Sequence, residues 1–209
     1  NSLHDGLDYL ETIQPPFVLK ADGPAAGKGV LIMDDLVSAK TELSNMLVKN
    51  KFGKSGDKVV IEGFLSGIEL SCFVLLDGKS YLTLPGAKDY KRIGEGDTGL
   101  NTGGMGSISP VPFASEEFLS KIDKKIIKPT VKGIIEDKLD YVGFLFIGII
   151  KVENEPFVIE YNVRMGDPEC QTILPKLKTD LFEIFMACCD KKLNEINIEW
   201  SNKKSLCIV

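Results

Sequence analysis

Two stretches decide the fold between them: Lys20-Ala21-Asp22-Gly23-Pro24-Ala25-Ala26-Gly27-Lys28-Gly29 and, far downstream, Glu160-Tyr161-Asn162-Val163-Arg164-Met165-Gly166-Asp167-Pro168-Glu169. The first reads as a phosphate clamp, a turn of small residues whose backbone N–H groups can approach anionic oxygens, with Lys20 before it and Lys28 inside it supplying charge. The second ends the β-rich run Pro156 to Asn162. Glu160 and Asn162 lie two apart there, so both side chains leave one face of a strand and bring carboxylate and amide oxygens to one point. Hard oxygen donors of that kind suit Mg2+ carried by a nucleotide. For each stretch the residues alone keep a plainer reading open: a solvated glycine hairpin in the first case, a solvent-facing strand pair in the second.

The clamp is not a P-loop. Gly23 and Gly27 stand too close together, no Ser or Thr follows Lys28, and a strand rather than a helix comes next. Working outward, Leu3, Leu7 and Leu10 have helical spacing, and Pro16 to Ala21 and Gly29 to Met33 read as two strands joined by the clamp. Asp34 or Asp35 caps a helix to about Lys49 with Leu36, Leu43 and Leu47 inside. Lys58 to Glu62, Ile68 to Leu76 and Ser80 to Pro85 predict an antiparallel meander. Residues 86–112 carry seven spaced glycines (86, 94, 96, 99, 103, 104 and 106) together with Asp89, Lys91 and Arg92. That stretch reads as a long loop, functional or disordered.

Ser115 with Glu116 and Glu117 starts a helix through Phe118, Ile122 and Ile126 that Pro129 should kink. Gly143 to Lys151 and Pro156 to Asn162 form an apolar hairpin, and Asp180 with Glu183 makes a capping-box signal for a last helix through about Lys192. The ends, helical at Leu3 and strand-like at Ser205 to Val209, read as cut from something longer.

Bulk properties set limits. A chain of 209 residues buries about 70% of its unfolded surface, so its core needs no disulfide or metal staple. With 25 basic and 30 acidic residues the net charge is -5 and no basic block stands out, which argues against nucleic acid as a partner. No apolar run is long enough to span a bilayer, and no signal-peptide pattern opens the chain. The five cysteines lack C-x-x-C spacing and mostly sit in apolar contexts, so they read as reduced thiols of a cytoplasmic protein. His4 is the sole histidine, which excludes Ser-His-Asp and Cys-His schemes and argues against His-based zinc sites.

Lys58-Val59-Val60-Ile61-Glu62-Gly63-Phe64-Leu65, followed by Gly67-Ile68-Glu69, is an apolar strand ending in one carboxylate with a second after a turn. Carboxylates can accept from an adenine amino group or a ribose hydroxyl. With these residues, the chain resembles the ATP-grasp portion of the phosphoribosylamine-glycine ligase (glycinamide ribonucleotide synthetase) family. The matching blocks run in order: Lys20 to Val30, Val60 to Ser71, Asp89 to Arg92, Gly96-Asp97, Asn101 to Gly106, Pro129 to Gly133 and Glu160 to Gln171. Departures include Pro24, Gly63, Ile68, Tyr90, Tyr161, Val163 and Met165, none of which removes a charge given a role below.

The resemblance implies an α+β ATP-grasp fold, two subdomains of mainly antiparallel sheets clasping a nucleotide, with residues 1–66 as the small subdomain and 67–209 as the large one. It implies an ATP-dependent ligase of purine biosynthesis that joins glycine to 5-phosphoribosylamine through glycyl phosphate. ATP and Mg2+ are the implied cofactors, with Mn2+ as an alternative ion, and flanking domains of the same enzyme are the implied partners, with no nucleic acid and no membrane. Carried over residue by residue, Lys20 and Lys28 bind phosphates, Glu62, Gly63, Phe64 and Leu65 the adenine edge, and Glu69 the ribose. Arg92 and Asn101 meet the reactive end of the nucleotide, and Glu160 and Asn162 hold Mg2+. Asp89 meets the glycine amine, Lys91, Gly103 and Gly104 line the substrate side, and Arg164, Asp167 and Glu169 line the acyl-phosphate chamber, with Arg164 and Asp89 as the catalytic pair. Alternatives from the same residues are a MgATP-binding module inactive without its flanking domains, and a ligase of the same fold with another substrate.

Overall fold

A computed structural model describes residues 2–25, 29–96 and 98–209, with Asn101 described by its backbone alone. The chain folds as two units, Asn1–Leu65 and Ser66–Val209.

In the first unit, helix α1 (Leu3–Thr12) starts at Ser2, whose hydroxyl accepts from the Asp5 N–H, and helix α2 (Leu36–Leu47) starts at Asp35, which accepts from the Ser38 N–H at 2.8 Å. Each N-cap satisfies a donor that the first helical turn leaves free. Strands β1 (Phe17–Ala21), β2 (Val30–Met33) and β3 (Val59–Gly63) form an antiparallel sheet in the order β2-β1-β3. Leu10, Phe17, Leu19, Ala39, Leu43 and Met46 make the core between sheet and helices. The run Lys58 to Glu62 therefore does not belong to a meander: it pairs with β1 inside this unit, leaving β4 to find other partners.

The second unit is built on a six-stranded antiparallel sheet, β8-β7-β4-β5-β6-β9. Its strands are β4 (Ile68–Leu76), β5 (Tyr81–Gly94), β6 (Thr98–Ser109), β7 (Gly143–Val152), β8 (Glu155–Asn162) and β9 (Ser205–Ile208). Alternation along β4 serves two cores. Leu70, Cys72, Val74 and Leu76 pack with Phe118, Ile122, Ile127 and Val131 on one side, while Phe73 and Leu75 pack with Phe146, Ile173 and Ile184 on the other. A sheet covered on both faces reads as a continuous apolar run, and β4 does so.

The glycine-rich stretch from 86 onward is not a loop. It is the far half of β5 paired with β6, with register shifts between Tyr90 and Arg92 and between Arg92 and Gly94. Glycine weakens the side-chain alternation by which a strand is recognised, so backbone pairing here has little trace in composition.

The irregularity expected at Pro129 takes the form of a π turn, Asp123–Ile127, between α3 (Glu116–Ile122) and α4 (Lys128–Glu136), closed by the Lys128 N–H donating to the Asp123 carbonyl. Widening the ladder just before the proline accommodates its missing N–H. Helix α5 (Glu169–Ile173) follows β8 unannounced by the sequence reading. Helix α6 (Leu181–Cys189) stops short of Lys192: Lys191 turns to φ +59 and the Lys192 N–H donates back to the Ala187 carbonyl. That left-handed closure is usually signalled by glycine, which is absent here.

Asp77, fully buried in the β4–β5 turn, accepts from the N–H groups of Lys79, Ser80 and Leu193. All five cysteines are free; Cys72 and Cys188 are buried as expected, but Cys189 is exposed because it lies on the outer side of α6. His4 is exposed near Asp8. Among the described residues no helix is long and apolar enough to cross a membrane.

Candidate active site

In the first unit, β1 and β3 run side by side so that Lys20 and Glu62 lie on a diagonal, and their side chains meet with Nζ 2.6 Å from Oε2. The residue read as a phosphate ligand and the residue read as an adenine contact are thus one ion pair. Gly63 ends β3, and Phe64 and Leu65 follow it with exposed side chains, a placement open to an aromatic ring. Lys28, with Ala26 and Gly27 of the clamp, lies outside the described residues.

In the second unit the register sets one polar face. Ser71 pairs with Gly148 across β4 and β7, Gly148 pairs with Glu160 across β7 and β8, and Phe146 pairs with Asn162. Directly paired residues share a face, as do residues two apart. Glu69 and Ser71 from β4, Asp89 and Lys91 from β5, and Glu160 from β8 accordingly line one depression. Lys91 Nζ lies 3.4 Å from Glu69 Oε2 and 3.5 Å from Asp89 Oδ2.

Burial pushes the Asp89 carboxyl above its ordinary range; Lys91 opposes this, while Glu169 and Glu69 add to it. Burial alone would pull the Lys91 ammonium down, but Asp89, Glu69 and Glu160 outweigh it and hold the group above its ordinary value. One ammonium therefore serves three carboxylates.

Glu160 and Asn162 leave the same face of β8, and Asn162 Nδ2 donates to Glu160 Oε1 at 3.1 Å. Turning the amide over would offer its oxygen beside the carboxylate, a pair of hard donors fitted to one Mg2+. Among the described residues no group of three or more His, Cys, Asp and Glu is arranged to hold a metal ion. A cation here fits only if it arrives with further ligands of its own, such as phosphates and water.

The segment after β8 is anchored at several points. Glu169 is buried and accepts from the Ser71 hydroxyl at 2.8 Å. Ser107 donates to the Pro168 carbonyl at 3.1 Å and pairs with the Thr172 hydroxyl. Gly104, at φ +129, lies against Asp167 and Pro168, where a Cβ would come 2.7 Å from the proline Cδ; only glycine suits that conformation and that approach. Arg164 and Asp167 are exposed; the former donates to the Met165 carbonyl and the latter accepts from Gln171. Arg92 is exposed opposite the Asn101 backbone, and Gly103 is exposed beside them.

Thus Glu69, Asp89, Lys91 and Glu160 are brought together with Asn162 adjoining, and Glu169 is drawn inward. Ser71, Ser107, Thr172 and Gly148 carry parts that the sequence reading left unassigned. Ser71 was findable, being two residues beyond Glu69 on a strand; the Ser107–Thr172 pairing joins residues too far apart in sequence to leave a local signal.

With this geometry in place, comparison with known proteins is decisive. Residues 1–170 match the family model for the phosphoribosylglycinamide synthetase ATP-grasp (A) domain. The chain belongs to that family. This ATP-grasp domain is 43% identical over 205 residues to a phosphoribosylamine–glycine ligase of Clostridium acetobutylicum, covering 98% of the chain and 49% of the relative. It superposes on the crystal structure of the phosphoribosylamine–glycine ligase of Thermotoga maritima with a TM-score of 0.85 at 32% identity, over 99% of the chain and 52% of that structure. A Campylobacter jejuni biotin carboxylase, solved as a β,γ-ATP complex, shares the fold with a TM-score of 0.70 at 14% identity, over 98% of the chain and 44% of that structure. The ATP-grasp domain spans about half the length of the curated relatives it matches.

Proposed function

We propose that the chain carries the ATP site of an enzyme that ligates glycine to 5-phosphoribosylamine, giving glycinamide ribonucleotide, ADP and phosphate in purine biosynthesis in the cytoplasm. The observation that carries this reading is the gathering of Glu69, Asp89, Lys91 and Glu160 on one sheet face, beside Asn162, in a chain 43% identical to a named phosphoribosylamine–glycine ligase.

In this reading a glycine carboxylate oxygen attacks the γ-phosphorus of ATP, the bond to the β-γ bridging oxygen breaks, and ADP leaves glycyl phosphate behind. The amine of 5-phosphoribosylamine then attacks the acyl carbon; the C–O bond to phosphate breaks, and an amide, phosphate and a proton result. No protein nucleophile is needed, since such transfers ask for positioning and charge neutralisation.

Lys20 and Lys28 take the phosphates, Glu62 to Leu65 the adenine edge, and Glu69 a ribose hydroxyl. Arg92 and Asn101 meet the reactive end of the nucleotide. Asp89, buried and beside Lys91, takes the glycine ammonium, with Gly103 and Gly104 on the substrate side. Arg164 and Asp167 face the acyl phosphate, and Glu169 holds the chamber wall through Ser71. Glu160 and Asn162 hold the Mg2+, for which Mn2+ could substitute, that neutralises phosphate charge when the nucleotide is bound.

The test is ADP release that requires both glycine and 5-phosphoribosylamine. The half-length match to the relatives favours a second reading, a MgATP-binding module that turns over only with the remaining domains. Nucleotide binding without that release would select it, and release with a different amine would point to another ligase of the same fold.

A further inference from the structure

Glu69, Asp89 and Glu160 bring three carboxylates to one depression from three different strands. A pair of divalent ions clamping a phosphate chain would draw on carboxylates from more than one strand. Directly across from Glu160, however, stands Gly148. A Cβ there would lie 3.1 Å from Glu160 Cγ, so a side chain at this position would have to push Glu160 aside by a few tenths of an ångström, and β7 (Gly143–Val152) carries no Asp or Glu of its own. The negative charge is met from within the chain instead: Lys91 reaches Glu69 and Asp89 at 3.4 and 3.5 Å.

We propose that the Lys91 ammonium is the built-in second cation of this site, a positioning residue that occupies the Glu69–Asp89 side and keeps a second divalent ion out of it. The inference rests on the nucleotide reading above. An ammonium has three donors and no demand for octahedral coordination, so it can join two carboxylates on a flexible stem where a divalent ion would need further ligands. The excluding force is the ammonium's hold on the Glu69 and Asp89 oxygens together with its repulsion of any second divalent ion brought up to them.

The experiment is a Mn2+ titration of the chain by electron paramagnetic resonance at saturating non-hydrolysable ATP analogue, for wild type, Lys91→Met and Lys91→Arg. One bound ion is expected in wild type and Lys91→Arg, and a second in Lys91→Met, bound at least about tenfold more tightly than any weak second ion of the wild type. Two tight ions in the wild type, or a count unchanged by Lys91→Met, overturns the proposal while the nucleotide reading stands. If the wild type retains neither nucleotide nor Mn2+, the nucleotide reading falls and the proposal with it. The Lys91 side chain is 40% exposed, so its loss should spare the fold; should the Met variant not fold, Lys91→Gln carries the same test.

Discussion

The Ser71 hydroxyl donates to the Glu169 carboxylate over 2.8 Å, and both side chains are buried. The bond joins the second strand position after Glu69 to the first residue of α5. Removing the donor leaves a buried carboxylate oxygen without it. Ser71→Ala should cost about 1–3 kcal/mol of stability. A urea transition whose midpoint does not move would refute this.

Asp77 contributes to acid stability. Burial pushes its carboxyl up, but the N–H groups of Ser80, Lys79 and Leu193 outweigh it and hold the folded value below the ordinary one. A depressed folded value means the contribution is fully present above the unfolded carboxyl value, about 3.9, and is lost as pH falls through the folded value. Asp77→Asn should therefore melt lower at neutral pH and show a flatter acid limb below about pH 4. Parallel limbs for variant and wild type would contradict the assignment.

Loss of the carboxylate on β8 should be felt only with metal present. Glu160→Ala is expected to weaken Mg2+-dependent binding of an ATP analogue by about 10- to 100-fold or more. Because Glu160 is exposed, the apo melting temperature should hardly change. Calorimetric affinity at matched Mg2+ decides it, and equal affinities would remove Glu160 from the metal role.

An MgATP analogue at about 100 times its dissociation constant should add about 2.7 kcal/mol, or roughly 5–10 °C of melting temperature for a chain of this size. Excess EDTA should cancel most of the rise. A rise that survives EDTA would mean the nucleotide is held without its ion.

Much of this was legible where the physics is local. Asp35 and Ser115 cap helices because a short polar side chain reaches the free N–H groups of the next turn. Glu160 and Asn162 share a face because strand period is two. What was not legible depends on partner choice across the chain. Nothing in Val59–Gly63 says that it pairs with Phe17–Ala21 rather than with the strand that follows it. Lys91 was found as a candidate, but its place between Glu69 and Asp89 needs the β4–β5 register. Beyond Pro85 the hairpin that runs to Ser109 was hidden by its own glycines, whose backbone pairing composition does not report.

The π turn at Asp123–Ile127 changes what length means in this helix. The buried side chains Phe118, Ile122 and Ile126 are spaced four apart, and Ile127 and Val131 resume that spacing one residue later, the extra residue falling on the wide turn. A single-residue insertion absorbed as a π turn keeps the residues beyond it in phase with the core. Removing one residue between Ile122 and Ile126 would bring Ile127 and Val131 into the same run of fours as Phe118 and Ile122 along an unbroken α-helix, still facing β4 and β7. The same deletion a turn earlier or later would swing everything beyond it about a quarter of the way round the axis. A residue can thus be dropped at this point of the helix without moving the sheet on which Glu69, Asp89 and Glu160 stand.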